Sequence, residues 1–455
     1  MNKGQDLGKG SVPRLMLSLA VPAIISQLVN MLYNIVDRMY IGHMPDVGVL
    51  ALTGLGLCFP VMMLVSSFSA LFGMGGAPLA AIEMGKGNLP KAQQIMGNCA
   101  VCLLLIALLL MGVMLVYGRD ILLLFGASEQ TLPYALPYLQ IYALGTVFVQ
   151  ITLGLNLFIT TQGFAKYSMM TVIIGAIINI ILDPILIYGL DMGVRGAALA
   201  SVIAQGVSAC WVMMFLRGRK SWLRLRRQSI RPAPALIGAI VALGVSPFIM
   251  QSTECILQIS FNISLKQYGG DLAVAVMTIL GSILQLVFMP IQGINQGAQP
   301  VVSFNYGAKL YDRVRSAIKI QVATCVGISV VMWVLIELFP PFFIGIFNRD
   351  PDVMNMATWA LRVYCFGLFL LGIQASCQQS FVALGFAKKS FWLAILRKII
   401  LLIPLIFILP QLMEDKVYAV FLAEPIADIL AACITGLVFV RMVNKYLREP
   451  YKPKG

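Results

Sequence analysis

The sequence predicts an all-α membrane protein with twelve transmembrane helices in two six-helix bundles related by a parallel internal repeat. Three observations lead to this fold class. Hydrophobic residues make up 59% of the 455-residue chain and charged residues only 11%, which is about half the charged fraction of a soluble domain. The apolar residues form runs long enough to cross a bilayer. The second half of the chain also resembles the first half at a constant offset.

Each predicted helix is an apolar run of roughly 20 residues, the length that a helix needs to cross the hydrocarbon core of a bilayer. The second and the eighth runs are longer than one crossing requires. The twelve predicted spans are 14–36, 48–80, 95–117, 134–160, 168–190, 194–216, 236–265, 271–302, 317–346, 355–383, 390–411 and 417–440.

Lysine and arginine residues fall mainly on one side of this arrangement. The segments that share a side with both termini hold 26 of the 33 basic residues. Because cytoplasmic loops are enriched in basic residues, we expect both termini to be cytoplasmic and the chain to lie in the inner (cytoplasmic) membrane. The net charge of +14 therefore reflects insertion into a lipid bilayer and does not indicate a nucleic-acid partner.

An internal duplication appears when the sequence is shifted by 222 residues. Residues 125–166 then align without a gap on residues 347–388, and ten of the 42 positions are identical. The run Gly163-Phe164-Ala165-Lys166 recurs as Gly385-Phe386-Ala387-Lys388. Because each copy contains an even number of spans, the two copies have the same orientation in the membrane. We expect an N-terminal lobe (1–216), a basic cytoplasmic linker (217–234) and a C-terminal lobe (235–455).

Polar residues of the first half cluster on single helix faces within the membrane. Four lie within an arc of roughly 80° on the first helix at about 100° per residue: Gln27, Asn30, Asn34 and Asp37. The fifth helix carries Asn179 and Asp183 one turn apart, followed by Pro184, and the sixth carries Ser201 and Gln205. Carboxylate, amide and hydroxyl oxygens suit a hard cation, or a carboxylate pair that shares a proton.

The second half has a similar polar face but different carboxylates. The seventh helix carries Gln251, Glu254, Gln258 and Asn262 on one face. Weaker candidates for the site are Glu424 and Asp428 on the twelfth helix, together with the glutamines Gln292, Gln374 and Gln378. The glutamines could instead hold helices together by hydrogen bonds.

Several classes of activity have no sequence support. The chain lacks a GxxxxGK[ST] phosphate loop, a serine–histidine pattern and a zinc-protease pattern, so we expect neither ATP hydrolysis nor any other enzyme activity. The nine cysteines lie almost wholly within apolar runs, as packed thiols do. No cofactor is predicted apart from a coupling ion.

These residues resemble the multidrug and toxic compound extrusion (MATE) family over essentially the whole chain. The most specific motifs are Pro22…Gln27…Asn34-Ile-Val-Asp37…Gly42 and Asn179-Ile-Ile-Leu-Asp183-Pro184. The resemblance implies an ion-coupling site, with sodium as one possible ion, made of Asp37, Asn179, Asp183 and Ser201. It also implies a coupling role for Glu254. The acid that some members carry in the tenth helix is replaced here by Gln374 and Gln378.

The function expected from these features is secondary active export. The family resemblance implies that lipophilic, often cationic drugs leave in exchange for protons or sodium ions, and we expect the protein to act as a monomer. Two alternatives remain open. A flippase for lipid-linked saccharides would need a cationic cavity, whereas the basic residues are expected only in cytoplasmic loops. A channel would need a ring of charged residues along a pore.

Overall fold

Helices make up nearly all of the structure, a computed structural model that describes residues 6–44 and 47–447. The predicted cytoplasmic ends of the chain, residues 1–5 and 448–455, lie outside the described residues. Twelve helices have the length of a membrane span: α1 (Val12–Gly42), α2 (Gly48–Gly85), α3 (Leu89–Leu124), α4 (Leu132–Thr161), α5 (Ala165–Gly189), α6 (Val194–Arg217), α7 (234–269), α8 (271–307), α9 (Tyr311–Leu338), α10 (Pro351–Ala383), α11 (Ala387–Leu412) and α12 (Lys416–Tyr446).

The count of twelve depends on Gly270. Among the described residues, eleven continuous helical segments are long and apolar enough to span a membrane, and the longest is Pro234–Gly307. This segment has a non-helical residue at Gly270, with φ 65° and ψ −162°. Glycine adopts such a backbone conformation without the steric cost that a side chain would add. The segment therefore comprises two helices, α7 and α8, and the predicted all-α fold is confirmed.

Three spans contain a stretch of π-helix. They are Ile151–Leu155 in α4, Ile185–Gly189 in α5 and Leu396–Leu402 in α11. The stretch in α5 begins directly after Pro184, which has no N–H to donate and so disrupts the regular hydrogen-bond ladder. Stretches of π-helix inside α-helices are frequent at functional sites, and two of these three adjoin or contain charged residues.

α1 has two exposed faces of opposite chemistry. Its apolar exposed residues Leu28, Leu32, Ile35 and Met39 share a sector of roughly 80° at about 100° per residue. The polar face that carries Asn30 and Asn34 lies on the other side of the helix. The apolar sector therefore faces lipid, and the polar face is turned toward the protein interior or water.

The two lobes, α1–α6 and α7–α12, meet at one end of the bundle, which we call the linker end because residues 218–233 lie there. The first turns of α1 contribute Leu15 and Leu19 to a core cluster of the C-terminal lobe, which includes Val302 and Phe439. Close approaches of backbone between lobes also lie toward this end, including Gly75 against the carbonyl of Ile240.

The linker, residues 218–233 between α6 and α7, is packed against the N-terminal lobe. Gln162 Oε1, at the end of α4, accepts hydrogen bonds from Ser221 Oγ (2.9 Å), Trp222 N (2.7 Å) and Leu223 N (2.9 Å). Asn98 of α3 accepts from the N–H of Ala233 at 2.9 Å. The linker is therefore an ordered part of the N-terminal lobe's surface.

Candidate functional site

A polar cluster lies inside the N-terminal lobe, where α1, α5 and α6 meet. Asn179 Nδ2 on α5 donates to Asp183 Oδ1 and to Ser201 Oγ on α6, each at 3.3 Å. The helical spacing of four residues places Asn179 and Asp183 on one face of α5. Asn179 is therefore the link that orients both oxygen ligands.

Asp37 completes this cluster from α1. Its carboxyl group lies within hydrogen-bonding reach of the Asp183 carboxyl group. Asp37 is 7% exposed and Asp183 is fully buried. Two carboxylates in contact inside an apolar environment are stable only when a proton or a cation compensates for one of the charges. The contact therefore marks a place where a cation or a proton can bind.

Four buried oxygen atoms around this contact have no hydrogen-bond partner among the described residues. They are Asp37 Oδ1, Asn179 Oδ1, Asp183 Oδ2 and Gln205 Oε1. Buried polar atoms are normally paired, and all four are hydrogen-bond acceptors. An oxygen-lined space without a donor of its own suits a proton or a hard monovalent cation. Within the described part of the chain no group of three His, Cys, Asp or Glu residues could hold a metal, so nothing there indicates a transition-metal site.

Tyrosines surround the carboxyl pair, and the sequence reasoning missed them. Tyr33, one turn before Asp37, interacts electrostatically with both acids, and the buried Tyr138 of α4 interacts with Asp37. At the end of the bundle away from the linker, Tyr188 donates from its hydroxyl to the carbonyl of Tyr40 at 2.5 Å and ties α5 to α1. The i, i+4 spacing of Tyr33 and Asp37 was the available signal.

The remaining polar residues of α1 lie outside this cluster. Asn34 Nδ2 donates to the carbonyl of Asn30 at 2.6 Å, and both side chains are exposed. Gln27 is partly buried nearer the linker end. They extend the polar face of α1 from the carboxyl pair toward the junction of the lobes.

The C-terminal lobe contains two cations within the membrane, Arg397 and Lys398, near the middle of α11. Arg397 Nε donates to Asp428 Oδ1 at 2.7 Å, and Arg397 Nη2 lies 3.5 Å from Glu424 Oε1. Lys398 forms an ion pair with Glu254 of α7 and donates to the carbonyl of Met250 at 2.6 Å. The acids predicted as weaker site candidates on α12 are therefore partners of a buried arginine.

This network corrects the prediction that basic residues occur only in cytoplasmic loops. Two of the 26 residues assigned to that side, Arg397 and Lys398, lie inside the membrane. The signal was present, because both follow several apolar residues within the predicted span 390–411. Glu254 remains accessible, since 51% of its side chain is exposed while Lys398 is only 4% exposed.

The other predicted residues of the C-terminal lobe divide into two groups. Gln251 and Gln258 are exposed on α7, Asn262 is partly buried there, and Gln292 is exposed on α8. In contrast, Gln374 and Gln378 are buried on α10.

Gln378 holds helices together. Its Nε2 donates to Ser246 Oγ at 2.9 Å and to the carbonyl of Ser390 at 2.8 Å. These bonds join α10 to α7 and α11. The alternative interpretation of the glutamines, as hydrogen-bonded contacts between helices, therefore holds for Gln378.

Comparison with known proteins assigns a family to this architecture. The MatE family model matches residues 22–185 and again residues 247–408. The chain belongs to the MatE family. The two matches fall on corresponding parts of the two lobes, which confirms the internal duplication of this MatE protein.

Relatives of similar length share the sequence of this MatE protein. It is 26% identical to the multidrug export protein MepA of Staphylococcus saprophyticus over 436 residues, which cover 95% of this chain and 96% of MepA. It is also 26% identical to the multidrug export protein MepA of Staphylococcus aureus (strain MSSA476) over 441 residues, with the same coverage.

Solved structures show the same fold. The MATE multidrug transporter DinF-BH, solved in complex with a rhodamine dye, is 32% identical to this MatE protein and superimposes with a TM-score of 0.90, covering 99% of this chain and 100% of DinF-BH. A MOP superfamily transporter from Pyrococcus furiosus Vc1 is 22% identical and superimposes with a TM-score of 0.91, covering 98% of this chain and 99% of that protein.

Proposed function

We propose that this MatE protein is a secondary active multidrug exporter that moves lipophilic, often cationic compounds out of the cell in exchange for protons or sodium ions. The observation that carries the proposal is the contact between Asp37 and Asp183, with four unpaired buried oxygen atoms around it. MepA, named as a multidrug export protein, and DinF-BH, solved with a rhodamine dye, support the substrate class. No enzyme activity and no cofactor other than the coupling ion are part of this function, and a single chain is the proposed working unit.

The linker end is proposed to be cytoplasmic, since it holds most of the basic residues. The lobes meet there, at Gly75 and at the first turns of α1. The structure then corresponds to the conformation in which the space between the lobes opens to the outside. In this conformation an exporter releases its substrate and takes up the coupling ion.

Competition for negative charge provides the coupling. A proton or sodium ion that binds at Asp37 and Asp183 neutralises one carboxylate and weakens the attraction for a cationic substrate. When the ion leaves toward the cytoplasm, the restored charge favours the drug. A membrane potential of 100 mV contributes about 2.3 kcal/mol for each elementary charge that crosses. Asn179 and Ser201 hold the carboxylate of Asp183 in place, and Gln205 offers a further oxygen.

Glu254 has a different role in this scheme from that of Asp37. It already has a cation, Lys398, as its partner, and a cationic substrate would have to compete with that lysine. The exposed half of its side chain is still available for a weaker interaction. We therefore assign the coupling ion to the N-terminal lobe and propose Glu254 as a secondary contact for substrate.

The flippase alternative is disfavoured by the same ion pairs. A lipid-linked pyrophosphate needs cations that are free to bind it, whereas Arg397 and Lys398 are neutralised by Asp428, Glu424 and Glu254. The interior basic residues therefore do not create a cationic cavity.

Dye transport in proteoliposomes tests the proposal. Efflux of a cationic rhodamine dye is measured under an imposed pH gradient and, separately, under an imposed sodium gradient. We expect one gradient to drive efflux by the wild type and neither to drive it by Asp37→Asn. Asp271→Asn, which changes an acid with a 93% exposed side chain between α7 and α8, is the matched control and should transport normally. Full efflux by Asp37→Asn at equal incorporation would refute the assignment.

A further inference from the structure

A groove of about 370 Å³ lies at the linker end of the N-terminal lobe, between the start of α5 and the end of α6. Aromatic and apolar side chains form one part of its wall, and Arg219 and Lys220 form the other. Tyr167 and Trp211 stack with their ring centroids 6.2 Å apart and an angle of 23° between the planes. The groove therefore combines a rigid aromatic surface with two cations.

The basic part of the groove is held in a fixed shape. Gln162 Oε1 binds the three consecutive residues that follow Lys220, as described above. Arg224 donates from Nη2 to the carbonyl of Arg219 at 2.9 Å and from Nε to the carbonyl of Ser221 at 3.3 Å, which closes the turn. Lys220 Nζ donates to the Tyr167 hydroxyl at 3.1 Å. A site ordered in advance loses less conformational entropy when a ligand binds.

The charge of the groove calls for an anion. Six basic side chains of the linker region are described, and none of them forms an ion pair with a carboxylate of the described chain. They are Arg217, Arg219, Lys220, Arg224, Arg226 and Arg231. Their charge is therefore uncompensated by the protein where the bilayer surface meets water. Anionic headgroups attract such juxtamembrane cations.

An apolar track leads from the groove along the membrane-facing surface. Met214 lies in the groove, and Val207 and Ile203 continue its exposed face along α6 at helical spacing. Ile177 and Ile181 are exposed on the adjacent α5. A soluble anion would make no use of this surface, whereas an acyl chain would cover it. The ligand is thus both anionic and apolar.

We infer that this groove binds an anionic phospholipid of the leaflet at the linker end. The phosphate lies between Arg219 and Lys220, the glycerol region rests against Trp211 and Tyr167, and one acyl chain follows the exposed face of α6. The lipid fastens the linker to the N-terminal lobe and is separate from the carboxyl pair. The inference does not depend on which ion or drug the protein carries.

Quenching of Trp211 fluorescence by brominated lipids tests this site in the full-length protein. The Trp211 signal is the difference between the protein and its Trp211→Phe variant, in mixed micelles that contain brominated phosphatidylglycerol or brominated phosphatidylcholine. Two basic side chains near a headgroup should favour the anionic lipid about 25-fold. We therefore expect half-maximal quenching at a far lower fraction of phosphatidylglycerol than of phosphatidylcholine.

Two double variants make the test specific. Arg219→Gln/Lys220→Gln should abolish the preference for the anionic lipid, whereas Arg226→Gln/Arg231→Gln, on the same linker outside the groove, should keep it. Equal quenching of the wild type by both lipids would overturn the inference, as would a preference that survives in the first double variant. Competition by millimolar inorganic phosphate would also overturn it, because the groove would then be a site for a soluble anion.

Discussion

Gly85 of α2 and Gly307 of α8 lie against each other's helix at the linker end, and they are repeat equivalents separated by 222 residues. A Cβ atom added to Gly85 would lie 2.0 Å from the carbonyl oxygen of Phe304, and one added to Gly307 would lie 2.0 Å from the carbonyl oxygen of Ile82. Ile82 and Phe304 are also 222 residues apart. The crossing is therefore reciprocal, as expected for two helices that meet on the axis relating the lobes.

Opening of this crossing is the first prediction. Gly85→Ala or Gly307→Ala should force the helices apart, because overpacking of this kind costs about 1–3 kcal/mol. We expect the closed linker end to become roughly 5- to 150-fold less favoured. Distances between spin labels at Lys86 and Lys309, measured by pulsed electron resonance, should become longer. Gly112→Ala on α3, whose added Cβ meets nothing within 4 Å, should leave the distances unchanged. An unchanged distance in both crossing variants would contradict the assignment of a gate here.

Loss of the Ser201 hydroxyl should weaken ion coupling. Ser201→Ala removes one of the two acceptors that orient Asn179, and one hydrogen bond contributes about 0.5–1.5 kcal/mol. The concentration of coupling ion needed for half-maximal dye efflux should rise by roughly 2- to 10-fold. Ser201→Thr should restore it. Ser208→Ala is the control, because Ser208 joins the same two helices through the carbonyl of Thr171. An equal effect of Ser208→Ala would show that helix packing alone is responsible.

The charged network of the C-terminal lobe should affect stability more strongly than transport. Arg397→Met leaves Asp428 and Glu424 without their cation, and breaking a buried ion pair costs about 3–5 kcal/mol. A marked fall in thermal stability is expected in detergent. Arg397→Met/Asp428→Leu should recover part of the loss, since it removes charges of both signs. If the double variant is as unstable as the sum of the single changes, the pair does not act as a unit.

Release of the linker can be followed by proteolysis. Gln162→Leu removes the acceptor of three hydrogen bonds to residues 221–223, so trypsin should cleave the arginine-rich linker faster. Gln93→Leu removes a single bond, from Gln93 Nε2 to the carbonyl of Trp222, and should have a smaller effect. Equal cleavage rates in the wild type and Gln162→Leu would show that Gln162 does not hold the linker.

The sequence predicted the architecture because bilayer physics is simple. A span requires a long apolar helix, and even the divided segment at Gly270 was recognised as two spans. The pairing of Asn179 with Asp183 followed from helical spacing, and the family motif supplied Asp37 and Ser201 as their companions. The direct contact of Asp37 with Asp183 needed the packing of α1 on α5, which no periodicity encodes.

The C-terminal lobe shows why the rest could not be predicted. Lysine and arginine were counted by their position relative to loops, and that rule fails when a cation is matched by an acid on another helix. Glu254, Glu424 and Asp428 are far apart in sequence from one another or from Lys398 and Arg397, so only tertiary structure reveals their pairing. The docking of the linker by Gln162 is likewise a contact between distant segments.

Ion release upon substrate binding is the most direct measurement of the central claim, the competition at Asp37 and Asp183. The rhodamine dye is added to purified protein in weakly buffered solution, and released protons and sodium ions are counted per chain. We predict that the wild type and Asp271→Asn release about one ion of a single kind as the dye saturates the protein. Asp37→Asn should still bind dye, but it should release no ion. Release of the same number of ions by Asp37→Asn would contradict the account.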